Sequence, residues 1–170
     1  HLDLFYIGEK LRLITEAESR KQLKAHNYNI ALKEEVLSII NTHLDTLGQS
    51  PQVKIYYQIY KMLSEEDADT YYYHLKELIE QYAHFFPRDV AVEELYGAAQ
   101  NYCVKKINSG SPGFLNELFE LFRLLINQNL IISDGKISPW YFRNIVFVGL
   151  RLGKYQWTEE FILEYKNHLP

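Results

Sequence analysis

Apolar residues in this chain recur at helical spacing. Leu37, Ile40, Leu44 and Leu47 stand at i, i+3, i+7 and i+10, and Leu75, Ile79, Tyr82 and Phe86 at i, i+4, i+7 and i+11, so each set draws one apolar stripe along an amphipathic helix. Between Phe114 and Ile126 the stripe widens: Leu115, Leu118, Phe119, Phe122, Leu125 and Ile126 share one side, and Leu121 and Leu124 extend it. That pattern predicts a helix buried on more than one side. The segment after Pro139 carries two apolar faces, one of Tyr141, Ile145, Val148 and Leu152, the other of Trp140, Phe147 and Leu150, as in a helix packed between neighbours. Near the amino terminus Leu4, Ile7, Leu11 and Ile14 form a stripe that gives way to polar residues from Thr15 to Lys24. Glu16 and Arg20 can pair there at i, i+4, which predicts a solvated extension.

Punctuation agrees with this periodicity. Ser50-Pro51, Ser111-Pro112 and Ser138-Pro139 each place a side-chain acceptor at the N-cap and a pre-set φ at the first helical position, and so predict helix starts. Gly48, Gly110 and Gly153 follow apolar-periodic stretches, where a residue able to take positive φ closes a helix. Between isoleucines, Asp134-Gly135 predicts a tight, hairpin-like connector at residues 131–137. The chain thus reads as all-α, seven or eight helices in roughly four consecutive hairpins, approximately 1–48, 50–87, 88–131 and 138–170, within a single domain of ordinary size.

Composition narrows the function classes. Hydrophobic residues make up 47% of the 170 positions and charged ones 24%, and no apolar run approaches the roughly 18 residues of a membrane span. The net charge of -4, with acids and bases interspersed, lacks the basic face of a nucleic-acid binder. The single cysteine, Cys103, allows no internal disulfide and no cysteine-based metal site. With no Asn-x-Ser/Thr sequon, the expectation is a cytoplasmic setting. The chain opens on His1 and closes on Pro170, where a helix would end, and the reading is of a fragment of a longer chain.

No enzyme signature stands out. A phosphate-binding Gly-rich loop, HExxH, GxSxG and CxxC are all absent from the sequence. Cys103 has no adjacent His and reads as a small buried hydrophobe. The acidic run Glu65, Glu66, Asp67 and Asp69 lacks the Gly and Glu of an EF-hand loop, because Tyr72 and Leu78 occupy those places; such carboxylates more simply favour the start of a helix. The six His are scattered, so no metal or cofactor is expected. Tyr is abundant, with Tyr56, Tyr57, Tyr60, Tyr71, Tyr72 and Tyr73 clustered around one predicted hairpin. Six rings cannot all face one core, so some are expected at a surface, where Tyr suits binding interfaces; the alternative is that they fill gaps between helices. Arg143, Phe147 and Arg151 stand at successive i+4 steps, on the face that carries Trp140. Two guanidiniums flanking an aromatic could hold a carboxylate beside an apolar anchor, or both could pair with neighbouring acids such as Glu117, Glu159 or Glu160.

One phrase occurs twice. ILEYKNHLP at residues 162–170 repeats the skeleton of IEQYAHFFP at 79–87: Ile162 answers Ile79, Tyr165 answers Tyr82 and Pro170 answers Pro87. Two periods of about 41 residues separate the copies, a repeat length typical of stacked helical units. With Gly153-x-Tyr155 followed by Pro170, and Ile162 at the large apolar place of the second helix, residues 138–170 resemble a tetratricopeptide repeat, although Val146, Gly149 and Thr158 stand where that family has a small residue, an aromatic and an Ala. NYCVKKIN, DGKISPW and RNIVFVGLRL are also similar to phrases in a group of bacterial helical-repeat proteins, a resemblance that brings no activity. The tetratricopeptide resemblance implies a right-handed superhelical stack of helical hairpins, an α-solenoid, whose concave groove is lined here by Trp140, Arg143, Phe147 and Arg151. The expected function is a non-enzymatic scaffold for a protein or peptide partner, using those four residues with Tyr56 and Tyr60, without nucleic acid or membrane. The alternative is a spacer within a longer stack, with weak self-association through an exposed end repeat.

Overall fold

The computed structural model describes residues 2–24 and 29–170, which are all-α apart from one two-stranded hairpin. The chain divides into two compact units, His1–Phe85 and Phe86–Pro170.

In the first unit, α1 (Leu2–Lys24) is followed by α2 (Lys33–Thr42), the single turn α3 (Leu44–Leu47), α4 (Pro51–Ser64) and α5 (Asp69–Tyr82). Packing centres on α4, which contacts both α1 and α5, and Leu11, Ile14, Val53, Ile55, Tyr72, Leu75 and Ile79 are all buried there. Helix α4 starts as its residues dictate: Pro51 is the first helical residue, and Ser50 Oγ accepts from the Val53 amide at 3.5 Å. Two expectations are corrected. The Leu37–Leu47 stripe is interrupted at His43, which leaves Leu44 exposed while Leu37, Ile40 and Leu47 remain buried. Beyond Thr15, itself buried, α1 carries the expected Glu16–Arg20 pair but is not wholly solvated, because Glu18 takes an ion pair from Lys33 at the start of α2.

In the second unit, α6 (Arg88–Val90) passes through a π-helical stretch, Ala91–Tyr96, into α7 (Gly97–Asn108). Then come α8 (Phe114–Asn127), the strands β1 (Ile132–Ser133) and β2 (Lys136–Ile137), α9 (Pro139–Arg151) and α10 (Tyr155–Tyr165). Helix α8 lies against both α7 and α9, and α9 against α10. Leu115, Leu118, Phe119, Leu121, Phe122 and Leu125 are buried, as a helix covered on more than one side requires. Its start is later than Ser111-Pro112 predicts: Ser111 and Pro112 form a turn whose carbonyls accept from Phe114 and Leu115, at 3.2 and 3.0 Å, and the helix proper begins at Phe114.

Three helices of this unit close the same way. Gly110, Asn129 and Gly153 have φ of 93°, 56° and 70°, and after each of them an amide reaches back five residues: Ser111 to the Lys106 carbonyl (2.9 Å), Leu130 to Leu125 (3.0 Å) and Lys154 to Gly149 (2.9 Å). This is the Schellman closure, which needs a left-handed residue after the C-cap. Gly48, by contrast, has φ of -66° and stops α3 without it. At the connector, Asp134 and Gly135 both take positive φ and Ile132 pairs with Ile137, a turn of the I′ kind that Asp-Gly favours. The connector is held from outside by Arg88, whose Nη2 and Nε donate to the Leu130 and Ile132 carbonyls at 2.6 and 3.2 Å.

The repeated phrase has a structural counterpart in each unit. Helix α5 ends at Tyr82 and α10 at Tyr165, each runs into a 3₁₀ turn, Ala83–Phe85 or Lys166–His168, and each Tyr ring lies 6.1 Å from the ring three residues on, Phe85 or His168. The shared Tyr thus marks a common helix exit in each unit.

Candidate partner-binding surface on helix α9

Ser138 and Pro139 set where α9 begins. One face of the helix, Ile145, Val148 and Gly149, is buried. At Gly149 a β-carbon would meet Thr158 Oγ1 at 2.3 Å, so the absence of a side chain lets α9 and α10 approach closely. The second apolar face stays open: Trp140 is 51% and Phe147 55% exposed, and Leu150, Arg143 and Arg151 are exposed with them. The Arg151 guanidinium sits 5.5 Å from the centroid of the Phe147 ring, within cation–π range. Among the described residues neither Arg143 nor Arg151 forms an ion pair with a carboxylate, so the expected alternative of pairing with Glu117, Glu159 or Glu160 is not what the structure holds.

Beside this face lies a pocket of about 260 Å³ between α7, α8 and α9. Val104, Ile107, Leu115, Leu118, Phe122 and Val148 supply apolar walls; Gln100, Asn101, Asn108 and Asn144 add amides; Trp140, Phe147 and Arg151 complete the lining. No Asp or Glu lines it, so its only full charge is the guanidinium. Gln100 is 5% exposed, and its amide lies beside the Tyr141 phenol. Close by, burial raises the Tyr141 phenol above its ordinary range, and the Gln100 amide and Arg88 only partly oppose this.

The structure therefore brings together three of the sequence-predicted residues, Trp140, Phe147 and Arg151. Arg143 is on the same helix but outside the pocket lining. Tyr56 and Tyr60 belong to α4 in the first unit: Tyr56, at 2% exposure, is a core residue with no surface to offer, and Tyr60 is half-buried with Lys33 Nζ 5.6 Å from its ring centroid. Of the remaining clustered tyrosines, Tyr72 is buried and Tyr73 exposed. Gln100 and the three asparagines were not anticipated, because isolated amides in a helical run produce no pattern. Cys103 is fully buried.

Among the described residues no three His, Cys, Asp or Glu gather where they could hold a metal ion, and no helix is long and apolar enough to cross a membrane. No protein-family model, curated protein or solved structure matches the chain.

Proposed function

We propose that the chain is a non-enzymatic protein-interaction scaffold, a tetratricopeptide-like, right-handed superhelical stack of helical hairpins that docks a peptide or protein on its concave first-helix face, here the exposed face of α9. The observation that carries this reading is the grouping of exposed Trp140, Phe147 and Arg151 around a pocket without a carboxylate. Trp and Arg dominate binding hot spots, and a guanidinium with no internal partner can take a partner's carboxylate in a two-pronged hydrogen bond. Covering the open halves of two large aromatics contributes on the order of several kcal/mol, before the entropy of association is subtracted. Arg143 extends the cationic face along the same helix.

The test is site-directed capture in lysate of the source cells. With a photo-crosslinking phenylalanine analogue at Phe147, the chain should trap a discrete partner, and the Arg143→Ala, Arg151→Ala form should trap at least about tenfold less. Equal trapping from a crosslinker at exposed Glu159 would remove the assignment to this face.

A second reading, a spacer within a longer stack, is favoured by Leu150, Tyr155 and Leu163, which are 48%, 67% and 57% exposed on the last hairpin. It predicts concentration-dependent self-association that Tyr155→Ser, Leu163→Ser abolishes. Sedimentation that stays monomeric to high concentration would count against it.

A further inference from the structure

Resting on the docking reading of the α9 face, we infer that the pocket between α7, α8 and α9 is a specificity pocket for one aromatic side chain of the docked peptide, and that Arg151 reads a carboxylate next to it. Size gives the first argument. An apolar cavity of about 150 Å³ already admits a benzene ring, whereas drug-sized ligands occupy some 300–1,000 Å³; about 260 Å³ suits one ring with its methylene. The walls give the second. Phe122 within the pocket and Trp140 and Phe147 at its edge can meet an incoming ring edge to face, an arrangement worth more than its buried area alone. Charge gives the third: Arg151 is the only ion in the lining and has no carboxylate partner among the described residues, so the complementary neighbour of the ring is acidic.

The experiment uses the whole chain, labelled with ¹⁵N, and capped probes, acetyl-Gly-Phe-Asp-Gly-amide and its Asp-Phe isomer, in which no terminal charge contributes. At least one order should shift the Trp140 indole and Asn144 resonances, and exchanging Phe for Ala or Asp for Asn in that peptide should weaken binding about tenfold or more. Arg151→Met should remove the preference for Asp over Asn while keeping that for Phe over Ala, a coupling that a merely structural arginine would not produce. Val104→Trp, at a partly exposed wall position, should fill the pocket and abolish the Phe preference without loss of fold. Equal binding of Phe and Ala peptides would overturn the ring pocket while leaving the docking face intact. If phenylacetate shifts these resonances and neither capped peptide does, the pocket serves a free small molecule and the inference fails. Silence from all probes also overturns it, and the crosslinking at Phe147 then decides separately whether the docking reading falls too.

Discussion

At the scale of single residues, the least forgiving position is Gly149. A methyl there would sit 2.3 Å from Thr158 Oγ1 but at an ordinary 3.4 Å from its β-carbon, so the conflict is with one oxygen atom. Gly149→Ala should therefore destabilise by about 1–3 kcal/mol. In a Thr158→Ala background the same change should turn stabilising by about 0.5–1 kcal/mol, the helix-propensity gain of Ala over Gly. Chemical denaturation of the four proteins measures this sign reversal, and additive effects would contradict the close crossing. Gln100 gives a second prediction. Gln100→Met keeps the shape and removes the amide that opposes the rise of the Tyr141 phenol, so that phenol should titrate higher still in the variant; an unchanged titration would mean that the amide does not act on it. Neither residue was legible beforehand. The sequence marks Gly149 only as a small residue where a large one is usual, and its partner nine residues on becomes apparent only once α9 and α10 are paired.

At the scale of elements, what the chain announces locally, it forms. Ser50-Pro51 and Ser138-Pro139 start helices, and Asp134-Gly135 makes the tight turn, because each of these rests on backbone preferences of adjacent residues. Ser111-Pro112 misleads by two residues, since the Ser111 and Pro112 carbonyls are taken up in turn hydrogen bonds from Phe114 and Leu115 before α8 begins. The stop at Asn129 was missed because Asn takes left-handed φ less readily than Gly and so signals it weakly. These closures make a paired prediction. Gly153→Ala, at φ of 70°, should cost about 1–2 kcal/mol, whereas Asn129→Gly, at φ of 56°, should be neutral or slightly stabilising. Thermal unfolding distinguishes them, and equal losses would place the strain elsewhere.

At the scale of the whole molecule, the proton affinities of four groups, Lys33, Lys61, Tyr141 and Tyr165, shift the same way. Lys33 rises although burial opposes it, because Glu18 holds its proton; Lys61 rises through its hydrogen bond to Glu65; Tyr141 and Tyr165 rise through burial. A group that holds its proton more tightly when folded contributes fully below its ordinary pKa and loses that contribution as pH climbs through the folded value. From ordinary values of 10.0 for Tyr and 10.5 for Lys, stability should be insensitive to these groups at neutral pH and should decline above about pH 10. Tyr141→Phe should flatten part of that decline, and an unchanged alkaline slope would show that the phenol is not shielded. The site itself was partly legible. The i+4 spacing put Phe147 and Arg151 on one face, but the pocket draws on three helices and could not be read from any one of them, and the burial of Tyr56 depends on how α1 and α5 cover α4.

The account's central claim, that Arg143 and Arg151 serve a partner and not the fold, is tested most directly by measuring partner capture and thermal unfolding together for wild type and the Arg143→Ala, Arg151→Ala protein. The prediction is capture reduced about tenfold or more, with a melting temperature within about two degrees of wild type, as expected when exposed groups without ion pairs are removed. Capture and melting temperature falling together would make both arginines structural and contradict the docking surface.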